Sequence, residues 1–177
     1  MENKVSTFNT ATRYGLFAGL ILIVWSLITM VLFDRSSFIA SFLGILVTTA
    51  VTIGLSVMVI NFHRDKELGG YISFSKAFVV SILAILIAGA VSSVFSIVDR
   101  VIISPEFYES AKDEMALMYE DMGMDDEAID MAIRMVEVVQ SPIGIFFTGV
   151  LIFAFFGAII SLITALILKN EEPTPDF

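Results

Sequence analysis

The side chains with the most chemical potential fall in two places. His63, the only histidine, precedes Asp65 by two residues and Glu67 by four. An imidazole beside carboxylates can work as an acid–base pair. Charged and turn-forming neighbours surround it, however, and the segment predicts a solvated loop. The second place is the acidic run Asp121, Asp125, Asp126 and Glu127. It lacks the ligand spacing of a calcium loop and the glycine such a loop needs at its sixth position. No His-Glu-x-x-His, Gly-x-Ser-x-Gly or glycine-rich phosphate loop occurs. Cysteine is absent, which removes disulfides, thiolate metal sites and lipidated cysteines. The expectation is therefore no catalytic residue, no metal, no cofactor, and a chain that is not an enzyme.

The elements that hold these residues are set by apolar runs. No Asp, Glu, Lys, Arg or His occurs in Tyr14–Phe33, Phe38–Phe62, Ala77–Val98 or Ile143–Leu168. A helix needs roughly 20 apolar residues to cross the hydrocarbon core of a bilayer. Each Leu, Ile, Phe or Val at a helix centre favours insertion by about 0.3–0.6 kcal/mol. Four buried helices of this kind in a soluble protein would leave almost no chain to cover them. With 57% hydrophobic residues, 16% charged and a mean hydropathy of +0.90, the composition agrees. The predicted fold is all-α: a four-helix transmembrane bundle with spans at about 14–33, 38–62, 74–98 and 143–168. The lipid bilayer is its first partner. A pI of 4.4 speaks against nucleic acid, which needs a basic patch. The first run is too long for a signal-peptide core and no small-x-small cleavage site follows it, so it is expected to be an uncleaved span.

Small residues mark where helices can approach. Gly15 and Gly19 lie one turn apart in the first span, a common spacing and no sign of a dimer by itself. In the third span Ala84, Ala88, Ser92 and Ser96 recur every four residues, with Ser81, Ile85, Gly89 and Ser93 on the adjoining stripe. Gly157, Ser161 and Ala165 repeat the device in the fourth. The third and fourth spans are thus expected to make the tightest contact. Trp25, mid-span, reads as a packing residue. Between the second and third spans, Arg64, Asp65, Glu67, Gly69, Gly70 and Tyr71 form a cytoplasmic loop with a glycine turn, and Ser73 is a candidate helix cap. Met1–Arg13 is expected to be a frayed tail or short surface helix, and Asp34–Ser37 a tight connection.

Residues 99–142 differ in kind. They hold twelve of the nineteen carboxylates against Arg100, Lys112 and Arg134, a formal −9 that equals the charge of the whole chain. Ser104-Pro105-Glu106 reads as a helix start. Phe107, Ala111, Met115, Met118 and Met122 then make one apolar stripe. Gly123 stops that helix and Asp125 caps a second, with a stripe of Ile129, Ala132 or Ile133, Val136 and Val139. The block is predicted to be a helical hairpin inserted between spans three and four, its two stripes burying each other or the bundle end. Lys4, Arg13, Arg64, Lys66, Lys76 and Lys169 gather on one side of the spans; Arg35, Arg100, Arg134 and Lys112 lie on the other. The positive-inside rule then puts both termini in the cytoplasm and the acidic hairpin outside it.

Arg64-Asp65-x-Glu67-x-Gly69-Gly70-Tyr71-Ile72-Ser73-Phe74, Ser104-Pro105-Glu106-Phe107-Tyr108 and Gly157–Leu168 with Lys169 together resemble the bacterial membrane-protein family called domain of unknown function 4199. The resemblance implies a four-span protein of the bacterial cytoplasmic (inner) membrane and brings no catalytic residue with it. The function expected from the residues is interaction or envelope association through the hairpin, with Asp121, Asp125, Asp126 and Glu127 on the contacting surface. Another membrane protein or a second copy of the chain is the expected partner. The alternative is a small oligomeric transporter or channel component, for which Thr48, Thr52 and Ser56 are the nearest polar path. The topology has a direct test, since the chain carries no native thiol. A cysteine at Glu120 should label with an impermeant reagent in intact cells and one at Glu67 should not; the reverse pattern inverts the orientation.

Overall fold

A computed structural model describes residues 6–34 and 37–172. Lys4, Arg35 and Ser36 lie outside them. Six α-helices follow in order: α1 (Thr7–Leu32), α2 (Phe38–Phe62), α3 (Phe74–Val98), α4 (Pro105–Asp121), α5 (Asp126–Val139) and α6 (Pro142–Leu168). Two π-helical turns, His63–Glu67 and Asp99–Ile103, extend α2 and α3. Among the described residues there is no strand; one isolated antiparallel bridge joins Ile72 to Asn170. Four helical stretches, Thr7–Leu32, Phe38–Glu67, Phe74–Ile103 and Pro142–Leu168, are long and apolar enough to cross a membrane.

The chain divides into two compact units, one running to Ser92 and resuming at Val150, the other Ser93–Gly149. In the first, α3 is the common partner. Its buried face is Ala77, Val80, Ser81, Ala84, Ile85, Ala88 and Gly89. The α1 backbone comes so close that a Cβ added to Gly15 would sit 2.6 Å from the Ala84 carbonyl oxygen, and one on Gly19 would sit 2.7 Å from Val91 Cβ. On α6, a Cβ on Gly157 would meet Ile85 Cγ2 at 2.6 Å, while Gly89 of α3 receives Phe153 equally closely. The contact between α3 and α6 therefore has no special status, because α1 approaches α3 as tightly. The glycine pair of α1 is used within the chain. Val59, Ile60 and Ile72 join this core, with Leu55 of α2, Ala11 and Ala18 of α1 and Ala165 of α6. Trp25 is half-buried, and its indole Nε1 is buried without a hydrogen-bond partner among the described residues.

Much apolar surface is left outside: Leu20, Ile45, Leu151 and Ile167 are each more than half exposed. A water-soluble monomer rarely shows contiguous patches of this kind; in lipid they cost nothing, while the backbone is satisfied within each helix.

The turns follow local chemistry. Gly69 and Gly70 have φ of +72° and +99°, a region that side chains with a Cβ avoid. Gly123, at +78°, ends α4 in the left-handed conformation common after a helix. The Asp125 side chain accepts from Ala128 N at 2.8 Å and so caps α5. Ser104 precedes Pro105 as the N-cap of α4 but makes no side-chain cap bond; its hydroxyl goes to Asp99 instead.

These close approaches predict a sharp contrast along the helices. Gly15→Leu and Gly19→Leu should each cost about 1–3 kcal/mol through overpacking, lowering the thermal midpoint in detergent. Gly44→Leu, where an added Cβ meets nothing within 4 Å, should not. Equal losses at all three positions would show that α1 does not rest on α3 in this way.

Candidate functional site

The first unit holds two buried polar clusters. In one, Ser56 of α2, Ser81 of α3, and Ser161 and Thr164 of α6 meet with exposures of 0, 0, 0 and 7%. Ser56 Oγ lies 2.6 Å from Ser81 Oγ and 2.5 Å from Thr164 Oγ1, and Ser81 Oγ lies 2.8 Å from Ser161 Oγ. Thr164 donates to the Ile160 carbonyl at 2.8 Å. Its proton being spent there, Ser56 donates to Thr164, Ser81 to Ser56 and Ser161 to Ser81. Each hydroxyl then has a use for its proton. Such interhelical bonds contribute on average about 0.6 kcal/mol each in membranes, and leaving one donor unpaired costs more.

The other cluster corrects the expectation for His63, which is not in a solvated loop: it is 1% exposed. The chain does not leave the helix at Phe62 but continues as a π-helical turn, which keeps His63 and Glu67 on one side. His63 Nδ1 stands 2.5 Å from Glu67 Oε2. Thr10 donates to both carboxylate oxygens of Glu67, at 2.9 and 2.6 Å, and Thr7 Oγ1 lies 3.3 Å from His63 Nε2. The first turns of α1 thus cover the imidazole, and Thr10 and Ala11 are themselves buried. The segment read as a tail or surface helix is part of the packed unit from Thr7 onward. With the Glu67 carboxylate accepting, Nδ1 carries the proton and Nε2 faces the Thr7 hydroxyl. Both ring nitrogens are therefore engaged inside the cluster. Chemically it is a polar clasp between α1 and the end of α2.

The remaining loop residues hold the end of α6. Arg64 donates from Nη1 to the Leu168 carbonyl at 3.1 Å and from Nε to Asp65 Oδ1 at 2.6 Å. Gly70 N donates to Arg64 O, Asn170 Nδ2 donates to Gly70 O, and Ile72 and Asn170 exchange both backbone bonds. Tyr71 is exposed. The structure thus unites Arg64, Glu67, Gly70 and Ile72 with α1 and α6. Sequence reasoning missed Thr7, Thr10 and Asn170; their spacing from the loop carries no signal, since the contacts span 56 residues or more.

Thr48 and Thr52 line an apolar groove of about 600 Å³ between α2 and α6, with Ser41, Gly44, Phe153 and Phe156. The Thr52 hydroxyl is spent on the Thr48 carbonyl at 2.7 Å, and Ser56 belongs to the buried cluster. These three residues do not form one open polar file.

In the second unit, the π-helical turn anchors both short helices. Asp99, 8% exposed, accepts from Ser104 Oγ at 3.2 Å and from Tyr108 OH at 3.0 Å. Arg100 donates to Gln140 Oε1, and its guanidinium lies 4.4 Å from the Tyr108 ring centroid, a cation–π distance. Lys112 of α4 pairs with Glu109 at 2.8 Å and with Glu137 of α5 at 3.4 Å. The bond to Glu109, against some burial, raises the Lys112 pKa above the ordinary lysine value. A raised lysine pKa means this contribution is fully present at neutral pH and fades only in alkali. Asp121, Asp125, Asp126 and Glu127 are all exposed at the far ends of the two helices. Asp126, Glu127, Asp130, Met131 and Arg134 border an open depression of about 590 Å³. Ile129 is buried and Ala132, Ile133 and Val136 are half-buried, whereas Val139, expected on the same stripe, is exposed. Met118, Met122, Met131 and Met135 are 51–69% exposed. The α4 stripe read as one face therefore splits: Met115 is half-buried while Met118 and Met122 are turned out. Among the described residues no group of three or more His, Cys, Asp or Glu is placed to hold a metal ion.

An all-helical chain with four such apolar helices has the make-up of a multi-pass membrane protein. It belongs to the family described as protein of unknown function (DUF4199), whose model matches residues 13–170. No curated protein and no solved structure matches it.

Removing Glu67 tests the clasp. Glu67→Ala strips His63 and Thr10 of their carboxylate and should cost about 1–3 kcal/mol, read as a lower thermal midpoint in detergent. Thr12→Ala, whose hydroxyl donates to the Phe8 carbonyl on an exposed face, should stay within about 0.5 kcal/mol of the parent. Indistinguishable midpoints would mean the clasp holds nothing.

Proposed function

We propose that the chain is a non-enzymatic protein of the bacterial cytoplasmic membrane, with both termini in the cytoplasm. On this reading α4 and α5 form an extracytoplasmic hairpin, and that hairpin is an interaction element. One observation carries the reading. Ser56, Ser81, Ser161, Thr164 and His63, buried in the first unit, are bonded to one another or to the half-buried Glu67. The second unit instead turns methionines and carboxylates outward. Side chains held in closed clusters brace a scaffold; exposed, adaptable ones meet a partner. Contact between Lys112 and Glu137 supports α5 folding back on α4.

In-cell crosslinking tests this. A chain in which Glu106–Val139 is replaced by a flexible linker should lose the adducts formed by the parent, while still extracting as a monodisperse species. An unchanged set of adducts would overturn the interaction role.

A further inference from the structure

We infer that the outward face of α4 and α5 receives a cationic amphipathic helix of a partner protein. This rests on the interaction reading above and names the chemistry of the partner. The starting point is a mismatch in α5. Its apolar arc takes in Ile129, Ala132, Ile133 and Val136, and also Met131, Met135 and Val138. The first group is buried or half-buried; Met131, Met135 and Val138 are 58, 66 and 71% exposed. They stand at i, i+4 and i+7, one stripe along the helix. On α4, Met118 and Met122 stand out in the same way. Since Lys112 meets Glu137, the helices run back along each other. With Met115 and Ile129 on the covered sides, the helical phase brings both exposed stripes to one side of the pair.

Carboxylates border this apolar strip. Asp126, Glu127 and Asp130 surround Met131 in the open depression, where Arg134 is the one cation in the lining. Residues 99–142 carry a formal −9. Charge therefore selects the occupant. A second copy would bring −9 against −9, and anionic lipid headgroups would be repelled. A helix with an apolar face and lysine or arginine at its margins satisfies both the strip and its rim. Methionine, unbranched and polarisable, accommodates varied apolar side chains. Recognition is thus tolerant of sequence and demanding of charge and amphipathicity.

The test uses the full chain in phosphatidylcholine nanodiscs and a labelled leucine–lysine amphipathic helix, followed by fluorescence anisotropy. A scrambled peptide of the same composition, with no apolar face, is the reference. The amphipathic peptide should bind about tenfold more tightly than the scrambled one. Combining Met118→Gln, Met131→Gln and Met135→Gln should remove that advantage and leave the salt dependence unchanged. Combining Asp126→Asn, Glu127→Gln and Asp130→Asn should weaken both peptides and flatten the salt dependence. Three results overturn the inference: equal binding of the two peptides, a signal fully reproduced by empty nanodiscs, or a dimer of the chain that the methionine substitutions disperse. If any of these occurs while deletion of Glu106–Val139 still abolishes the crosslinked adducts, the interaction role stands and only the cationic helix falls.

Discussion

A hydroxyl or imidazole that enters the interior of these long helices has to find its hydrogen bonds there, since neither lipid nor apolar side chains supply them. The first unit is arranged around that constraint. Four hydroxyls from α2, α3 and α6 close on one another and discharge into the Ile160 carbonyl. His63 and Glu67 close on each other and on the first turns of α1. The core of this unit mixes alanines such as Ala84, Ala88 and Ala165 with Leu55, Val59, Ile60, Val80 and Ile85. The directional bonds then fix which helices meet and in what rotation. Small residues and polar clasps act together: glycine lets the backbones approach, and the hydroxyls reward one register of that approach.

Exposed apolar surface has two meanings in this molecule. On α1, α2 and α6 it belongs to long helices whose one charged residue is Arg13 of α1, and hydrocarbon is the natural neighbour. On α4 and α5 it alternates with carboxylates, and neither helix is long and apolar enough to cross a bilayer. The same physical quantity, an uncovered apolar side chain, therefore fits lipid in one place and, on the function proposed above, a protein partner in the other. Asp99 and Arg100 stand where the two regimes meet along the chain, each tied to the short helices by named bonds.

The all-helical class and the four long apolar helices were legible because uncharged runs of such length admit few other structures. Proline, glycine and aspartate marked the ends of α4 and α5 for equally local reasons, at Pro105, Gly123 and Asp125. What could not be read depended on contacts distant in sequence. His63 looked solvated because its neighbours are charged; whether it is buried is decided by Thr7 and Thr10, more than fifty residues away. Methionines on α4 formed one stripe by spacing, yet the phase of α5 against it decided that Met115 is covered and Met118 is not. Helical periodicity shows that a face is apolar, but the width of the neighbouring helix decides how much of that face is used.

Site-directed spin labelling tests the central distinction most directly, because the chain has no cysteine of its own. Labels placed singly at Leu20, Ile45, Leu151, Met131 and Met135 in reconstituted vesicles would be probed with oxygen and with a water-soluble nickel chelate. The first three should relax mainly with oxygen, as lipid-facing sites do, and the two on α5 mainly with the chelate. Oxygen-dominated relaxation at Met131 and Met135 would place α5 in the bilayer, and the account of an uncovered docking face in water would be wrong.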